Sequence, residues 1–291
     1  MTYPMGRNLT LLVVFLLLFV SAHAQLRMKK IAKLPSKMYE TSGLVYYKNK
    51  YLITHNDGGN KSEIFVLNTK GEEVKTINIK DTKNRDWEDM TMDSQGRLYI
   101  GDFGNNYNER EKCQIYILPS NFIDKKGIEP WKITFTYEDQ KKFPPKKEDR
   151  YYDCEAFFWK DGKLYLLTKC RTKPFTGISK IYELPAAPGK HKAKLIGQLN
   201  FCKTGWRFCS VTSADYDAKT NSLTILTYSK MYVIRNFEGI EFWNGEITSY
   251  SLPLIKQREA ICYKGKNSWY MTDEYKKGIK GGNLYVLELK K

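Results

Sequence analysis

Five side chains with carboxylate or hydroxyl groups recur along the chain, and each precedes a short apolar segment that a tight turn joins to a second one. Successive members are 46, 67, 58 and 46 residues apart, a repeat length typical of β-propeller blades. Because the first strand of every blade lines the central channel, residues at the starts of these strands converge on the axis. Carboxylates that face each other in a narrow channel repel unless they are protonated or neutralised, and such oxygen ligands suit Ca²⁺. The expected calcium ligands are Ser42, Glu88, Glu155, Ser213 and Glu259.

Other chemistry fits this set of residues less well. Neither His nor Cys recurs at the five positions, which disfavours a soft transition metal. Ser42 and Ser213 have no His at an equivalent position to activate them, so serine-nucleophile chemistry is not expected. The alternative to a bound cation is structural, because the same side chains could cap their strands through hydrogen bonds to backbone amides.

The loops between the second and third segments of the repeats open onto the same face as the five strand starts. Two of these loops are rich in Gly, Asn and Asp, and a third carries the basic run Lys169-Cys170-Arg171. Glycine-rich turns let backbone amides approach an anionic group, and Lys and Arg neutralise phosphate or carboxylate charge. We expect Lys169 and Arg171 to stabilise developing negative charge. Asp57 or Asp102 is expected to position or deprotonate a water molecule.

Each repeat supplies four strand-like segments, except the last, which supplies three. The missing strand is available near the N-terminus, because Met28–Leu34 is a short alternating segment with no repeat of its own. Pairing this segment beside the last strand removes two exposed sheet edges. The sequence therefore predicts an all-β, five-bladed β-propeller whose ring the N-terminal strand closes in the last blade. A single domain over residues 25–291 is expected, since no low-complexity linker divides the chain.

The first 24 residues have the pattern of a signal peptide. Arg7 supplies the positive charge, and Leu11–Val20 is an apolar run too short to span a bilayer. Ala22-His23-Ala24 forms a cleavage site of the small-x-small type. Cleavage after Ala24 and a secreted or periplasmic location are therefore expected, with no membrane-spanning segment in the mature chain.

The chain carries a formal net charge of +16, from 48 Lys and Arg against 32 Asp and Glu. Such an excess favours an anionic partner, and we expect an anionic small molecule or a glycan. The sequence carries no signature of a nucleic-acid-binding module, so specific nucleic-acid binding is not expected.

Six cysteines in an exported chain permit disulfides. Cys154 and Cys170 lie on two segments that a turn joins, so they could form a cross-strand bridge. Cys202 and Cys209 flank one loop and could close it. The two cysteines that fall in repeats expected not to touch are predicted to be buried thiols, Cys113 and Cys262.

The ordered set of five ring residues resembles the central calcium ring of the calcium-activated nucleotidase (apyrase) family. The likeness includes the segments Ser42-Gly43-Leu44-Val45-Tyr46 and Glu155-Ala156-Phe157-Phe158-Trp159, and the approximate spacing between ring positions. The resemblance implies a five-bladed propeller with calcium in its channel and hydrolysis of nucleoside di- or triphosphates. The chain departs from the family where His55-Asn56-Asp57 stands in place of an acidic turn, and where the segment after Arg171 is shortened.

Two functions agree with these patterns. One is a secreted, calcium-dependent hydrolase of nucleoside di- or triphosphates or of a related polyanion. The other is a non-catalytic propeller that binds an anionic glycan, a lipid head group or a protein partner, while calcium only holds the blades together. Phosphate release from nucleotides that EDTA abolishes distinguishes the first function from the second.

Overall fold

The computed structural model describes residues 25–253, 256–275 and 281–290. In these residues the chain is all-β, as predicted, with 21 strands, one helical turn (α1, Trp206–Cys209) and three short 3-10 turns. The expected signal peptide lies outside the described residues. No helix in the described part of the chain is both long enough and apolar enough to cross a membrane.

The strands follow one another along the chain with short connections. The first ten are β1 (Gln25–Lys33), β2 (Thr41–Tyr47), β3 (Tyr51–Asn56), β4 (Glu63–Asn68), β5 (Glu73–Ile79), β6 (Trp87–Met92), β7 (Leu98–Asp102), β8 (Cys113–Leu118), β9 (Gly127–Ile128) and β10 (Trp131–Tyr137). The next eleven are β11 (Asp153–Lys160), β12 (Lys163–Lys169), β13 (Ile178–Pro185), β14 (Gly189–Asn200), β15 (Val211–Asp217), β16 (Ser222–Thr227), β17 (Lys230–Arg235), β18 (Glu246–Ser251), β19 (Arg258–Gly265), β20 (Ser268–Asp273) and β21 (Asn283–Lys290). The 3-10 turns cover Phe122–Asp124, Lys147–Asp149 and Phe242–Asn244.

Neighbouring strands pair in antiparallel meanders of four. The groups are β2-β3-β4-β5, β6-β7-β8-β10, β11-β12-β13-β14, β15-β16-β17-β18 and β19-β20-β21-β1. Parallel pairing of β10 with β14 joins the second and third groups into one eight-stranded sheet, and β9 adds a short parallel strand to β5. Tight turns fix the hairpins: Asp161 and Gly162 between β11 and β12 both have positive φ, of 50° and 80°, which matches the twist of the flanking strands.

The first strands of the five groups contact one another in cyclic order, β2 with β6, β6 with β11, β11 with β15, β15 with β19, and β19 with β2. Apolar side chains are buried between each pair of successive groups, in five clusters over the described residues. Burial of these side chains supplies the main stabilisation of the fold. It also fixes the starts of the five first strands around a common centre.

The N-terminal strand completes the last group, as the sequence predicts. β1 pairs antiparallel with β21, from Gln25 opposite Lys290 to Lys33 opposite Asn283. Its apolar side chains pack into two of the clusters, Leu26 and Met28 into one and Ile31 into the other. The strand begins three residues earlier than the predicted segment and ends one residue earlier.

The cysteines agree with the predictions in part. Cys202 and Cys209 form a disulfide with their Cα atoms 5.5 Å apart, whereas Cys113 and Cys262 are buried thiols. The cross-strand bridge that Cys154 and Cys170 could form is not present, since both are free thiols. Cys154 lies opposite Thr168, whereas Cys170 follows Lys169, the last residue of β12.

Candidate functional site

The first strands of three groups, β6, β11 and β19, pair irregularly near their starts, which changes the direction of the side chains there. Glu155 has no partner in β12, because Cys154 pairs with Thr168 and Ala156 with Leu167. Glu259 is skipped in the same way between β19 and β20, and Glu88 and Asp89 between β6 and β7. Such bulges commonly redirect a side chain near functional sites. The three carboxylates at these bulges, Glu88, Glu155 and Glu259, are buried and lie close enough for their charges to interact.

Three carboxylates from the first two groups converge, and we call Asp57, Asp86 and Glu88 the acidic trio. One oxygen from each lies within 4.8 Å of the corresponding oxygens of the other two. Asp57 is on the loop after β3, Asp86 is at the end of the connection before β6, and Glu88 is within β6. Glu88 is buried, and the other two are half-buried.

Two glycines make room for the trio. A side chain on Gly104 would collide with the carboxylates of Asp86 and Glu88, and one on Gly58 would collide with Asp86. The Gly104 amide also donates to the Asp86 carbonyl oxygen, over 3.1 Å. The carboxylates can therefore approach each other only because these positions lack Cβ atoms.

Asn84 ties the two loops of the trio together. Its side-chain nitrogen donates to the carbonyl oxygens of Asn56 and Asp57, at 3.0 and 2.8 Å. Its side-chain oxygen accepts from the backbone amide of Trp87, at 3.0 Å. The buried Asn84 thus places Asp57 and Asp86 at fixed positions relative to each other.

Burial raises the pKa values of all three trio carboxylates. The pKa of Asp57 rises to about 7 and that of Asp86 to about 6, in both cases mainly through burial. The pKa of Glu88 rises well above its ordinary value through burial and then through the charge of Glu155. Three buried like charges need either protons or a cation.

The predicted cations Lys169 and Arg171 lie beside the trio but are paired with other carboxylates. Lys169 Nζ is 2.9 Å from Glu155 Oε2, and Arg171 Nη2 is 3.2 Å from Glu155 Oε1. Arg171 Nε also contacts Asp153 Oδ2, at 2.5 Å. Although burial lowers it, the pKa of Lys169 is held well above its ordinary value by Glu155, so the ammonium group stays charged.

Glu259 and Glu274 line the opposite side of the same centre. Glu259 accepts a hydrogen bond of 3.4 Å from Gln257 Nε2. The pKa of Glu274 rises to about 10 through burial and then through the charges of Glu259 and Asp57. The centre is thus strongly acidic, although the whole chain is basic.

The two predicted serine ligands make hydrogen bonds within the protein. Ser42 Oγ donates to the Glu88 carbonyl oxygen. Ser213 Oγ donates to Asp89 Oδ1, at 3.1 Å, and accepts from the Ile261 amide, at 3.2 Å. Ser213 therefore lies with Asp89, which follows Glu88 directly and which the sequence reasoning left out of the ring.

Asp89 connects three of the first strands. Besides Ser213, its carboxylate accepts from the amides of Ala214 in β15, at 3.2 Å, and of Phe157 in β11, at 3.3 Å. The Met90 amide adds a bond of 2.9 Å within β6. These donors satisfy the carboxylate inside the protein, which gives it a structural role.

Asp102, predicted as a catalytic carboxylate, contacts Arg110 and the backbone of Asp86. Its Oδ1 lies 3.1 Å from Arg110 Nη2 and accepts from the Asp86 amide at 3.1 Å. It therefore holds the backbone of a trio member. A cleft of about 200 Å³ beside it, lined by Asp86, Gly104 and Arg110 among others, leads to the trio.

The donors at the centre fit a hard divalent cation. The trio supplies carboxylate oxygens. Two further side-chain oxygens are buried without a hydrogen-bond partner among the described residues: Asn56 Oδ1, adjacent in the chain to Asp57, and Gln257 Oε1, two residues before Glu259. His55 Nε2 is likewise buried without a partner there, and burial lowers the pKa of His55 to about 4. Oxygen donors dominate, as Ca²⁺ and Mg²⁺ require.

Comparisons with known proteins reach the fold and no further. No protein-family model matches the chain, and no curated protein matches it. The PQQ-bound aldose sugar dehydrogenase of Streptomyces coelicolor superposes with a TM-score of 0.50 at 8% identity, over 92% of this chain and 99% of that one. The gluconolactonase XC5397 of Xanthomonas campestris gives 0.47 at 10% identity, over 91% and 90%. The Malassezia sympodialis allergen Mala s 1 gives 0.47 at 12%, over 86% and 77%. The first likeness supports a propeller-like fold, while the nucleotidase resemblance stays a prediction.

Proposed function

We propose that this chain is a five-bladed β-propeller that binds Ca²⁺ at the acidic trio and hydrolyses a phosphoanhydride bond of a nucleoside di- or triphosphate there. The observation that carries the proposal is the convergence of three buried or half-buried carboxylates within 4.8 Å. Five core clusters and the cyclic contacts of the first strands support the blade count. We further propose one domain over residues 25–291, exported after cleavage following Ala24.

The trio would hold the cation, with Glu88 as the member that the sequence also predicts. Glu155 and Glu259 face the same centre and add negative charge around it, although Glu155 is shared with Lys169. When bound, the cation would neutralise phosphoryl oxygens and favour attack by water.

The chain's own residues would bind and orient the substrate. Lys169 and Arg171 lie on one side of the centre, from which they could exchange Glu155 for phosphoryl oxygens. Asp57, on the loop after β3, would orient or deprotonate water. Asp102 would keep Asp86 in place through the backbone.

Calorimetry and phosphate release test the proposal. Wild-type protein should bind Ca²⁺ with a rise in Tm and should release inorganic phosphate from ADP, GDP or UDP, and EDTA should abolish both effects. Asp86→Asn and Glu88→Gln should lose both. Glu111→Gln is the matched control, because Glu111 is exposed on the loop after β7. No change of Tm with Ca²⁺ would overturn the cation site.

A second function has one observation in its favour. Lys169 and Arg171 are already ion-paired with Glu155 and Asp153, so their charge is not free for a substrate. In a non-catalytic binding propeller the cation would only hold the first strands together. That function predicts a rise in Tm with Ca²⁺ and no phosphate release from any nucleotide tested.

A further inference from the structure

A second cleft lies away from the acidic centre, between the segment of residues 138–152 and β13. Its volume is about 450 Å³. Four lysines line it, and we call it the lysine cleft after Lys141, Lys142, Lys146 and Lys180. We propose that the lysine cleft binds a segment of an anionic glycan, through its carboxylate or sulfate groups.

Three of the four lysines have no carboxylate partner. Lys180 Nζ lies 2.5 Å from Asp139 Oδ2, which neutralises it. Lys141, Lys142 and Lys146 are exposed, and no ion pair involving them occurs among the described residues. The carboxylate of Asp149 also lines the cleft without pairing with them there. The cleft thus carries more positive charge than its acidic residues neutralise.

Hydrogen bonds hold this segment in place. Gln140 Nε2 donates to the Asn108 carbonyl oxygen at 3.0 Å, and Tyr152 OH donates to that of Asp139 at 3.1 Å. Glu138 accepts from the Leu195 amide at 2.8 Å through its side chain, and from Lys141 Nζ at 2.6 Å through its carbonyl. Both ends of the segment that carries these lysines are therefore held before a ligand arrives, which lowers the entropy cost of ordering it on binding.

The size and the aromatic content of the cleft favour a glycan. A volume of about 450 Å³ lies within the range of sites for small ligands and suits a few sugar units. The half-buried Tyr151 lines the cleft, and the Phe143 ring beside Lys142 in the chain is 41% exposed. Aromatic rings offer flat apolar faces against which the C–H faces of sugars can pack, while the lysines pair with the acidic groups.

Calorimetry against four polymers at physiological salt tests this inference. The probes are a heparin oligosaccharide, an oligogalacturonate, neutral dextran and a short DNA duplex. The variant Lys141→Gln/Lys142→Gln/Lys146→Gln removes three charges from the cleft. The control Arg27→Gln/Lys29→Gln/Lys30→Gln removes three from the exposed outer strand β1. Lys142→Glu alone tests the same site with a single exposed change.

We expect at least one acidic glycan to bind, and dextran not to bind. The cleft variant should lose roughly tenfold or more in affinity, Lys142→Glu should weaken binding in the same direction, and the control should change it little. EDTA should leave glycan binding unchanged, which separates this result from the fate of the proposed calcium site. Equal losses in the cleft variant and the control, absence of glycan binding, or tighter binding of DNA at the same salt would each overturn the inference.

Discussion

At the scale of residues, the acidic trio can form because two neighbouring positions are glycines without a Cβ atom. Gly58 and Gly104 leave the space into which the carboxylates of Asp86 and Glu88 fit. Asn84 and Asp102 fix the backbone on either side of them. The affinity of a cation site here would therefore depend on these two glycines as much as on the ligands.

Gly104→Ala should weaken calcium binding. The new Cβ would overlap with the Glu88 and Asp86 carboxylates, which would have to separate. Overpacking of this kind costs about 1–3 kcal/mol, so calcium affinity should fall by roughly tenfold. Titration calorimetry measures the change. Gly127→Ala is the control, because its Cβ would meet only the flexible end of Lys80; equal affinity in both variants and wild type would contradict the packing argument.

The stabilisation by calcium should grow as pH rises. In the cation-free protein, the pKa values of Asp57 and Asp86 are raised to about 7 and about 6. The folded state then holds more protons than the unfolded state, so the free energy of unfolding falls as pH rises through this window. A bound cation removes that loss, and thus the rise in Tm on adding Ca²⁺ should be larger near pH 8 than near pH 5.

The double variant Asp57→Asn/Asp86→Asn is the control for this pH dependence. His55 acts in the opposite direction, because its lowered pKa of about 4 makes stability rise with pH up to its ordinary value. That contribution is common to wild type and variant and cancels in their difference. A wild-type profile as flat as that of the variant would rule out titration of the trio.

The repeat in the sequence predicts that Glu88, Glu155 and Glu259 stand at the starts of first strands, where the structure has them; their role as calcium ligands stays a prediction. Asp57 was predicted for a different role. The predicted ligand set lacks Asp86, a member of the acidic trio, because Asp86 lies in a connection whose path no periodicity describes. Its position directly before Trp87 and Glu88 was the available signal.

At the scale of elements, irregular pairing decides where side chains of the first strands go. A skipped residue in β11 turns Glu155 toward the centre and leaves Cys154 opposite Thr168. A regular hairpin would place Glu155 opposite Thr168 and Cys154 opposite Lys169, because counting residues from the turn assumes uninterrupted pairing. The hairpin is predictable from Asp161-Gly162, but neither regular nor irregular pairing places Cys154 opposite Cys170.

The disulfide between Cys202 and Cys209 should be the one that stabilises the fold among the described cysteines. Cys202→Ser/Cys209→Ser should lower the free energy of unfolding by about 2 kcal/mol, since the bridge closes a short loop. Urea denaturation measures the loss, and wild type in reducing agent should match the variant. After denaturation, alkylation should label Cys154 and Cys170 in the unreduced protein; a linked peptide containing both would contradict the structure.

At the scale of the whole molecule, the chain is basic although its buried carboxylates cluster at one centre. The net charge of +16 comes from lysines and arginines spread over the chain, whereas the carboxylates converge where the first strands begin. The sequence predicts a cation bordered by Lys and Arg. The structure instead pairs Lys169 and Arg171 with carboxylates, a result of long-range packing that composition does not reveal.

Removal of β1 should destabilise the protein and open β21 to self-association. Deleting residues 25–33 uncovers the partner edge of β21 and the contacts of Leu26, Met28 and Ile31. The free energy of unfolding should fall by about 3 kcal/mol or more, with larger species on size exclusion. A synthetic peptide of residues 25–33 should restore the wild-type Tm, while a scrambled peptide should not; rescue by both would deny a specific pairing.

The pairing of β1 with β21 also constrains the order in which the protein can fold during synthesis. The first strand of the described chain finds its partner only after residues 283–290 have been synthesised, so the N-terminal segment waits unpaired through almost the whole of translation. Contacts over such a separation form slowly, and unpaired strand edges in the meantime favour aggregation. The export proposed above would therefore require that β1 stay unpaired until β21 has been made.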